Sequence, residues 1–251
     1  MNVSLYQAAS ALNANARWQE IISENLAGST IPGFKKQDLS FAAVQAGMLM
    51  PNGTTSLANG QPVSLPSASN HINFTQGDIK KTEVLTDLAI DGPAFFEVQL
   101  ANGTNAYTRD GEFKINAQGE LVTKQGYVVM GEGGPIQLDR NAATPMTVGA
   151  DGTVTQAGQT RGKLSLTAFN DPSLLMPIGG GMFSAKAPGI QTTTETKSTL
   201  RQGFVEGANT NSVLEMTNLI SVMRAYEANQ RVIQMQDERM GRAISELGNL
   251  S

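Results

Sequence analysis

The residues best placed to do chemistry in this chain are few, and their spacing argues against each use. Gly131-Glu132-Gly133-Gly134 and Gly179-Gly180-Gly181 have the glycine content of a phosphate-cradling loop. A working loop of that kind runs G-x-x-x-x-G-K-[ST] between a strand and a helix, so that backbone N–H groups and a lysine converge on the phosphate. Neither stretch fits that pattern, and both read as turns. Asp91, Asp110 and Asp151 each precede a glycine, but they fall in separate turns without the ligand spacing of an EF-hand loop. A serine nucleophile needs a base, and the one histidine, His71, lies in a polar stretch where it reads as solvated. Glu112 and Glu120 could be an acid pair on paper, yet they read as exposed strand positions. Tyr107-Thr108-Arg109 reads as a hairpin edge. Met216, Met223, Met235 and Met240 lie together in one C-terminal stretch, and adaptable packing is a better reading than a metal site. No catalytic residue, cofactor or metal ligand is expected.

Bulk composition narrows the classes further. The chain has 251 residues, a net charge of −4, 16% charged residues, 26 glycines and no cysteine. The acidic balance gives no electrostatic case for nucleic acid. Zero cysteines exclude a disulfide framework and a thiolate metal site, and would make passage through an oxidising compartment unproblematic. No apolar run is long enough to span a membrane, so no membrane insertion is expected. The N-terminus lacks a basic region followed by an apolar core, so no cleaved secretory signal is expected.

With chemistry set aside, the dominant feature is a pattern in the last forty residues. Steps of three and four from Met216 give Met216, Leu219, Met223, Tyr226, Gln230, Ile233, Asp237, Met240, Ile244 and Leu247. All but Gln230 and Asp237 are apolar, which is the seam of a helix pressed against a partner helix. Ser212 and Glu215 form a capping box at its start, and Gly248 can close it. The N-terminus repeats the pattern through Leu5, Ala8, Leu12, Asn15, Gln19, Ile22 and Leu26. Gly28 is placed to end that helix in a left-handed cap, and Pro32-Gly33 stops its return. The simplest arrangement pairs the two helices as a coiled coil. Two helices cannot cover the flank residues Ile220, Val222 and Val232 as well. Neighbouring molecules would cover them, or the middle domain would fold back over them.

Residues 41–82 change character, with Ala, Gly, Ser, Asn, Pro and Thr and no sustained period, and read as an extended connector. Residues 83–202 read as all-β. Short runs such as Ala94–Leu100, Ala106–Arg109, Glu112–Ile115, Glu120–Thr123, Tyr127–Met130, Met146–Val148, Thr153–Thr155 and Lys163–Phe169 are punctuated by Asn102-Gly103, Asp110-Gly111, Gln118-Gly119 and Asp151-Gly152. Such dipeptides supply the positive φ of tight hairpins. The expected fold is α+β and mainly β. Terminal helices (1–40 and 203–251) pair as a coiled-coil core, and one antiparallel sandwich or irregular barrel lies between them.

Three motifs, in order along the chain, carry a resemblance. "ENLAGSTIPGFKK" at 24–36 resembles the N-terminal signature of the flagellar axial family of rod and hook proteins, matching it at Asn25, Leu26, Ala27, Thr30, Gly33, Phe34 and Lys35. Gly28 departs from the usual asparagine. "LAIDGPAFFEV" with "AYTRDGEFKINAQGELVTKQGYVVMG" resembles the central β signature, departing at Ala94 from a usual glycine. "GFVEGANTNSVLEMTNLISVMRAYEANQRVIQMQDERM" resembles the C-terminal signature, with Ala208-Asn209-Thr210-Asn211 where S-N-V-N is usual. A hook protein would carry further outer domains, and "VVMGEGGPIQL" at 128–138 is more similar to the proximal than to the distal rod branch.

The resemblance implies a structural subunit of the basal-body rod, exported by the flagellar type III apparatus without a cleaved signal. It implies residence in the periplasmic section of the motor and helical assembly with copies of itself and with other rod and hook proteins. The terminal helices would line the tube and the β domain would face outward. The residues expected to carry assembly are Leu5, Leu12, Ile22, Asn25, Leu26, Gly33 and Phe34 at one end. At the other they are Met216, Leu219, Ile220, Met223, Tyr226, Ile233, Met240, Ile244 and Leu247. The alternative of another class is a secreted adhesin or hydrolase built on the β domain, with coiled-coil ends.

Overall fold

The computed structural model describes residues 3–49, 61–139, 144–185, 189–194 and 197–248. The fold is α+β and mostly β, with two long helices, α1 (Val3–Gly28) and α2 (Ser212–Gly248). Both helices occupy the spans that the seam and its punctuation predict. At 1.5 Å per residue the 37 residues of α2 extend about 55 Å. The chain divides into two compact units. One comprises Met1–Leu26, Gln37–His71 and Ser212–Ser251, and the other comprises Ala27–Lys36 and Ile72–Asn211.

Within the first unit, the stretch expected as an extended connector is largely a two-stranded ladder, Gln37–Leu49 with Gln61–Ile72. Its rungs include polar side chains: the Ser40 and Ser69 hydroxyls are 2.8 Å apart, and Asn70 Nδ2 donates to Gln37 Oε1. Asn25 starts the ladder. Its Nδ2 donates to the Gln37 carbonyl and its Oδ1 accepts from the Gln37 N–H, both at 2.8 Å, so the amide imitates a strand neighbour.

The second unit is antiparallel in every pairing among the described residues. Its largest sheet runs 176–179, 182–184, 105–108, 95–99, 128–131, 121–123 and 113–115, with 166–169 and 134–135 branching from it. That path has two ends, so the sheet is open rather than closed into a barrel. The strand Phe95–Gln99 explains why the signature there carries two aromatics in succession. Adjacent side chains point to opposite faces, and both faces are buried. Phe96 and Val98 enter a core with Leu88, Ile90, Phe113, Leu121, Val129 and Leu164. Phe95 enters a second core with Tyr107, Phe169, Leu175 and Phe183. Phe95 and Phe169 meet edge to face at 5.5 Å.

Most expected strands are present within a residue or two, and the turns at Gly103, Gly119 and Gly152 have the positive φ their hairpins require. Gly131–Gly134 and Gly179–Gly181 are hairpin turns. Two expectations fail. Lys163–Phe169 is not one strand: it divides into Gln159–Lys163 and Leu166–Phe169, with Leu164 bridging to Gly131 between them. Asp110-Gly111 is not a hairpin turn, because the strands on either side, 105–108 and 113–115, pair elsewhere. Gly111 is required for clearance instead, since a Cβ there would lie 1.7 Å from the Leu88 carbonyl oxygen.

Candidate functional site

The candidate assembly surface is α2. Its expected seam is divided by the structure. Leu219, Tyr226 and Ile233 are half-buried, while Met216, Met223 and Met240 are exposed. The buried phase of the helix runs through Glu215 and Val222, one position away from the Met216 walk. Val222 is 0% exposed, so it is a core residue of this chain and not a contact awaiting a neighbour. Ile220 and Val232 remain exposed. Val213, Met216, Ile220 and Met223, at 72%, 52%, 54% and 46% exposure, recur at three- and four-residue steps and so form one stripe along the helix.

Along α1 the expectation is met at Ile22, which is buried, and in part at Leu12 and Leu26, which are half-buried. Ile21, outside the expected seam, is buried as deeply. Leu5 lies in α1, and Ile244 and Leu247 lie in α2; their side chains fall outside the described residues.

The remaining expected assembly residues, Asn25, Gly33 and Phe34, have intrachain partners. Asn25 holds Gln37 as described. Phe34 places its ring where a Cβ on Gly28 would stand, 2.3 Å away. Gly28 does not have a positive φ, so the glycine makes room for the Phe34 ring rather than capping the helix in a left-handed turn. Gly33 has φ +67°, and a Cβ there would lie 2.3 Å from the Arg109 carbonyl carbon.

Around Gly33 the three signatures meet. Lys35 comes from the first, Arg109 from the second and Glu206 from the third, and they form one buried ionic cluster. Lys35 Nζ donates to Glu206 Oε1 at 2.5 Å and to the Thr75 carbonyl at 2.8 Å. Arg109 Nη1 donates to Glu206 Oε2 at 3.2 Å, and its guanidinium lies 4.7 Å from the Phe95 ring centre. The Gly77 N–H also donates to Glu206 Oε1, and the Gly33 N–H donates to the Glu206 carbonyl. Asn209 finishes the joint: its Oδ1 accepts from the Lys36 N–H, and its Nδ2 donates to the Asn73 and Thr75 carbonyls. Burial pushes the Lys35 ammonium and the Arg109 guanidinium below their ordinary pKa values, and the Glu206 charge pulls each part of the way back.

Sequence reasoning matched Lys35 and Arg109 to the signatures without assigning them a partner. It read Tyr107-Thr108-Arg109 as a hairpin edge. In the structure Tyr107 and Thr108 lie in an interior strand and Arg109 is 4% exposed. The available signal was a charge close to a glycine and an aromatic residue in each motif, at Lys35, Arg109 and Glu206, in a chain poor in charge.

Two predictions arise here. Gly33→Ala would strain the backbone and press on Arg109 together. It is expected to lower the unfolding free energy by about 3 kcal/mol, read by urea denaturation.

The second concerns Asp110, whose carboxyl is pushed up to about 6, chiefly by burial. The Glu112 N–H donates to it and Lys124 lowers its pKa, while Glu112 and Asp87 raise it further. Because the folded pKa lies above the unfolded one, the folded state favours the protonated acid. Its contribution is complete below about pH 4 and is lost as pH rises through about 6. Asp110→Asn keeps an acceptor for Glu112 and removes that loss. The variant is expected to match the parent near pH 4 and exceed it by about 2 kcal/mol near pH 7, measured by denaturant unfolding across the range.

The chemical candidates stay apart. His71 is exposed at the end of a strand. Glu112 and Glu120 are half-buried rather than exposed and hold separate partners, Lys124 and Asn116. Asp91 pairs with Arg201, and Asp151 braces the Thr153 turn. Among the described residues no group of three or more His, Asp or Glu could hold a metal ion, and no helix is long and apolar enough to cross a membrane.

Two family models match stretches of the chain that include Arg109, Glu206 and most of α2. Residues 89–156 match the family model described as the flagellar hook protein FlgE/F/G D1 domain, and residues 201–246 match the one described as the flagellar basal body rod FlgEFG protein C-terminal region. The chain is 35% identical to the flagellar basal-body rod protein FlgG of Buchnera aphidicola subsp. Schizaphis graminum, over 94% of this chain and 96% of that one. It is 34% identical to the flagellar basal-body rod protein FlgF of Caulobacter vibrioides and 34% identical to that of Mesorhizobium japonicum, over the whole of each chain.

Proposed function

The chain belongs to the flagellar basal-body rod proteins of the FlgF/FlgG type, and from that premise we propose that it is a structural subunit that polymerises through its terminal helices into the rod. The family is structural and not enzymatic, in keeping with the scattered chemical candidates. The observation that carries the reading is the exposed stripe Val213, Met216, Ile220 and Met223 on a helix about 55 Å long. A contiguous apolar stripe left open on one molecule is satisfied by others. Each large side chain buried there contributes roughly 1.5–3 kcal/mol, and a heterologous contact that does not close produces a filament.

On this reading α2 pairs with α1 as a coiled coil in the polymer, and the exposed residues Met216, Ile220, Met223, Val232 and Met240 meet neighbouring subunits, other rod and hook proteins among them. The β domain turns outward and carries torque through many repeated contacts. Each terminal helix stays marginal until neighbours cover it, which suits passage through the flagellar type III export apparatus into the periplasmic section of the rod. Of the two branches, the FlgF-like proximal one is favoured by alignments that span both chains whole, with only 253 and 254 positions for 251 residues. A concentration series by analytical ultracentrifugation tests the proposal. Self-association that rises with concentration is expected, and a chain that stays strictly monomeric at all concentrations with both terminal helices formed would overturn it.

A further inference from the structure

Among the described residues, half of the large apolar side chains exposed on α2 are methionines: Met216, Met223, Met235 and Met240, beside Val213, Leu214, Ile220 and Val232. A thioether is apolar only while it is reduced. Oxidation converts it to a polar, chiral sulfoxide, and methionine sulfoxide reductases reverse the change. We propose that these four methionines are oxidation-sensitive modification sites, spread around α2, whose oxidation switches off assembly of the free subunit. The inference rests on the assembly role proposed for α2.

Hydrogen peroxide is the oxidant. At each sulfur an S–O bond forms as the peroxide O–O bond breaks; the sulfur gives up two electrons and water leaves. Reduction by the two reductases, one for each sulfoxide epimer, returns the thioether. The oxygen departs as water while a dithiol becomes a disulfide. The four sulfurs lie on side chains between 43% and 56% exposed, open to a small oxidant. Met146 and Met182, at 3% and 8%, are shielded in the β unit and serve as internal controls. Met176, at 56%, is equally open but lies on a β-strand. In a polymer whose subunits cover α2, the same sulfurs are hidden. Oxidation therefore acts on the subunit before incorporation and not on the finished rod.

The test treats the full chain with graded hydrogen peroxide and follows oxygen uptake at each methionine by peptide mass spectrometry, with self-association read by sedimentation. Oxidation at Met216, Met223, Met235 and Met240 is expected to weaken self-association about ten-fold or more. Met146 and Met182 remain unmodified, and treatment with both reductases restores assembly. Met176→Leu leaves the peroxide sensitivity unchanged. Met216→Gln with Met223→Gln, which mimics the polar product, weakens association without peroxide. Polymer formed before treatment resists oxidation at the four positions.

A reduced chain that assembles, and still assembles after the four methionines are oxidised, overturns the inference alone. Loss of assembly that tracks Met176 instead of the helix methionines also overturns it alone. A reduced chain that never associates overturns the assembly reading and this inference together.

Discussion

Glu206→Ala is expected to lower the unfolding free energy of the β-rich unit by about 3–5 kcal/mol, a large share of the 5–15 kcal/mol that holds a typical domain folded. The carboxylate is fully buried and answers Lys35, Arg109 and the Gly77 N–H together. Its removal strands two cations where water cannot reach them, and a buried charge without a partner is far more costly than a lost hydrogen bond. Removing a cation is gentler. Lys35→Met leaves Glu206 with Arg109 and Gly77, and is expected to destabilise by less than half as much. Lys35→Met combined with Glu206→Ala should fall short of the sum of the two single changes, because the groups form one network. Denaturant unfolding of the four proteins reads the cycle. Equal losses for Glu206→Ala and Lys35→Met would show that the cluster does not organise around the carboxylate.

Ile220→Asp is expected to abolish assembly while leaving the β-rich unit intact. The side chain is 54% exposed in the single subunit, so a charge there is tolerated with a change within about 0.5 kcal/mol. In the polymer the same charge lies in an apolar contact. A penalty of about 3 kcal/mol at each subunit weakens association about a hundred-fold. Sedimentation, near-ultraviolet dichroism and swimming of a strain carrying the variant read the two halves separately. Leu219 and Ile233 are poorer probes, since both are half-buried within the chain and aspartate there would disturb the subunit itself.

These two positions also mark how far the sequence could be read. The helices were legible because their period agrees with the residues that bound them, and α2 runs from Ser212 to Gly248 as those signals require, although Gly28 ends α1 by clearing the Phe34 ring and not as a left-handed cap. The phase of the buried face was not. Apolar residues occupy two neighbouring stripes of α2, and the buried stripe is interrupted by Glu215, so the more regular Met216 walk looked like the core. The β strands were legible where Asn-Gly, Gln-Gly or Asp-Gly turns punctuate them. Asp110-Gly111 misled because glycine there answers a close approach by Leu88 and not a turn. The ladder of Gln37–Leu49 with Gln61–Ile72 carries no sustained apolar alternation; polar rungs such as Ser40 with Ser69 help close it, so the period that identifies strands is weak. The ionic joint was the least accessible of all. Lys35 and Glu206 are 171 residues apart, and nothing local to either announces the other. The signatures identified the residues without revealing that they converge.

The claim beneath the functional account is that α2 stays unsatisfied on a lone subunit and is secured by its neighbours. Amide hydrogen exchange of the full chain, dilute and polymerised, tests this most directly. The account predicts fast exchange along Ser212–Gly248 in the dilute chain, slow exchange there in the polymer, and slow exchange at Phe95–Gln99 in both. Strong protection of Ser212–Gly248 in the dilute chain, unchanged on polymerisation, would contradict it.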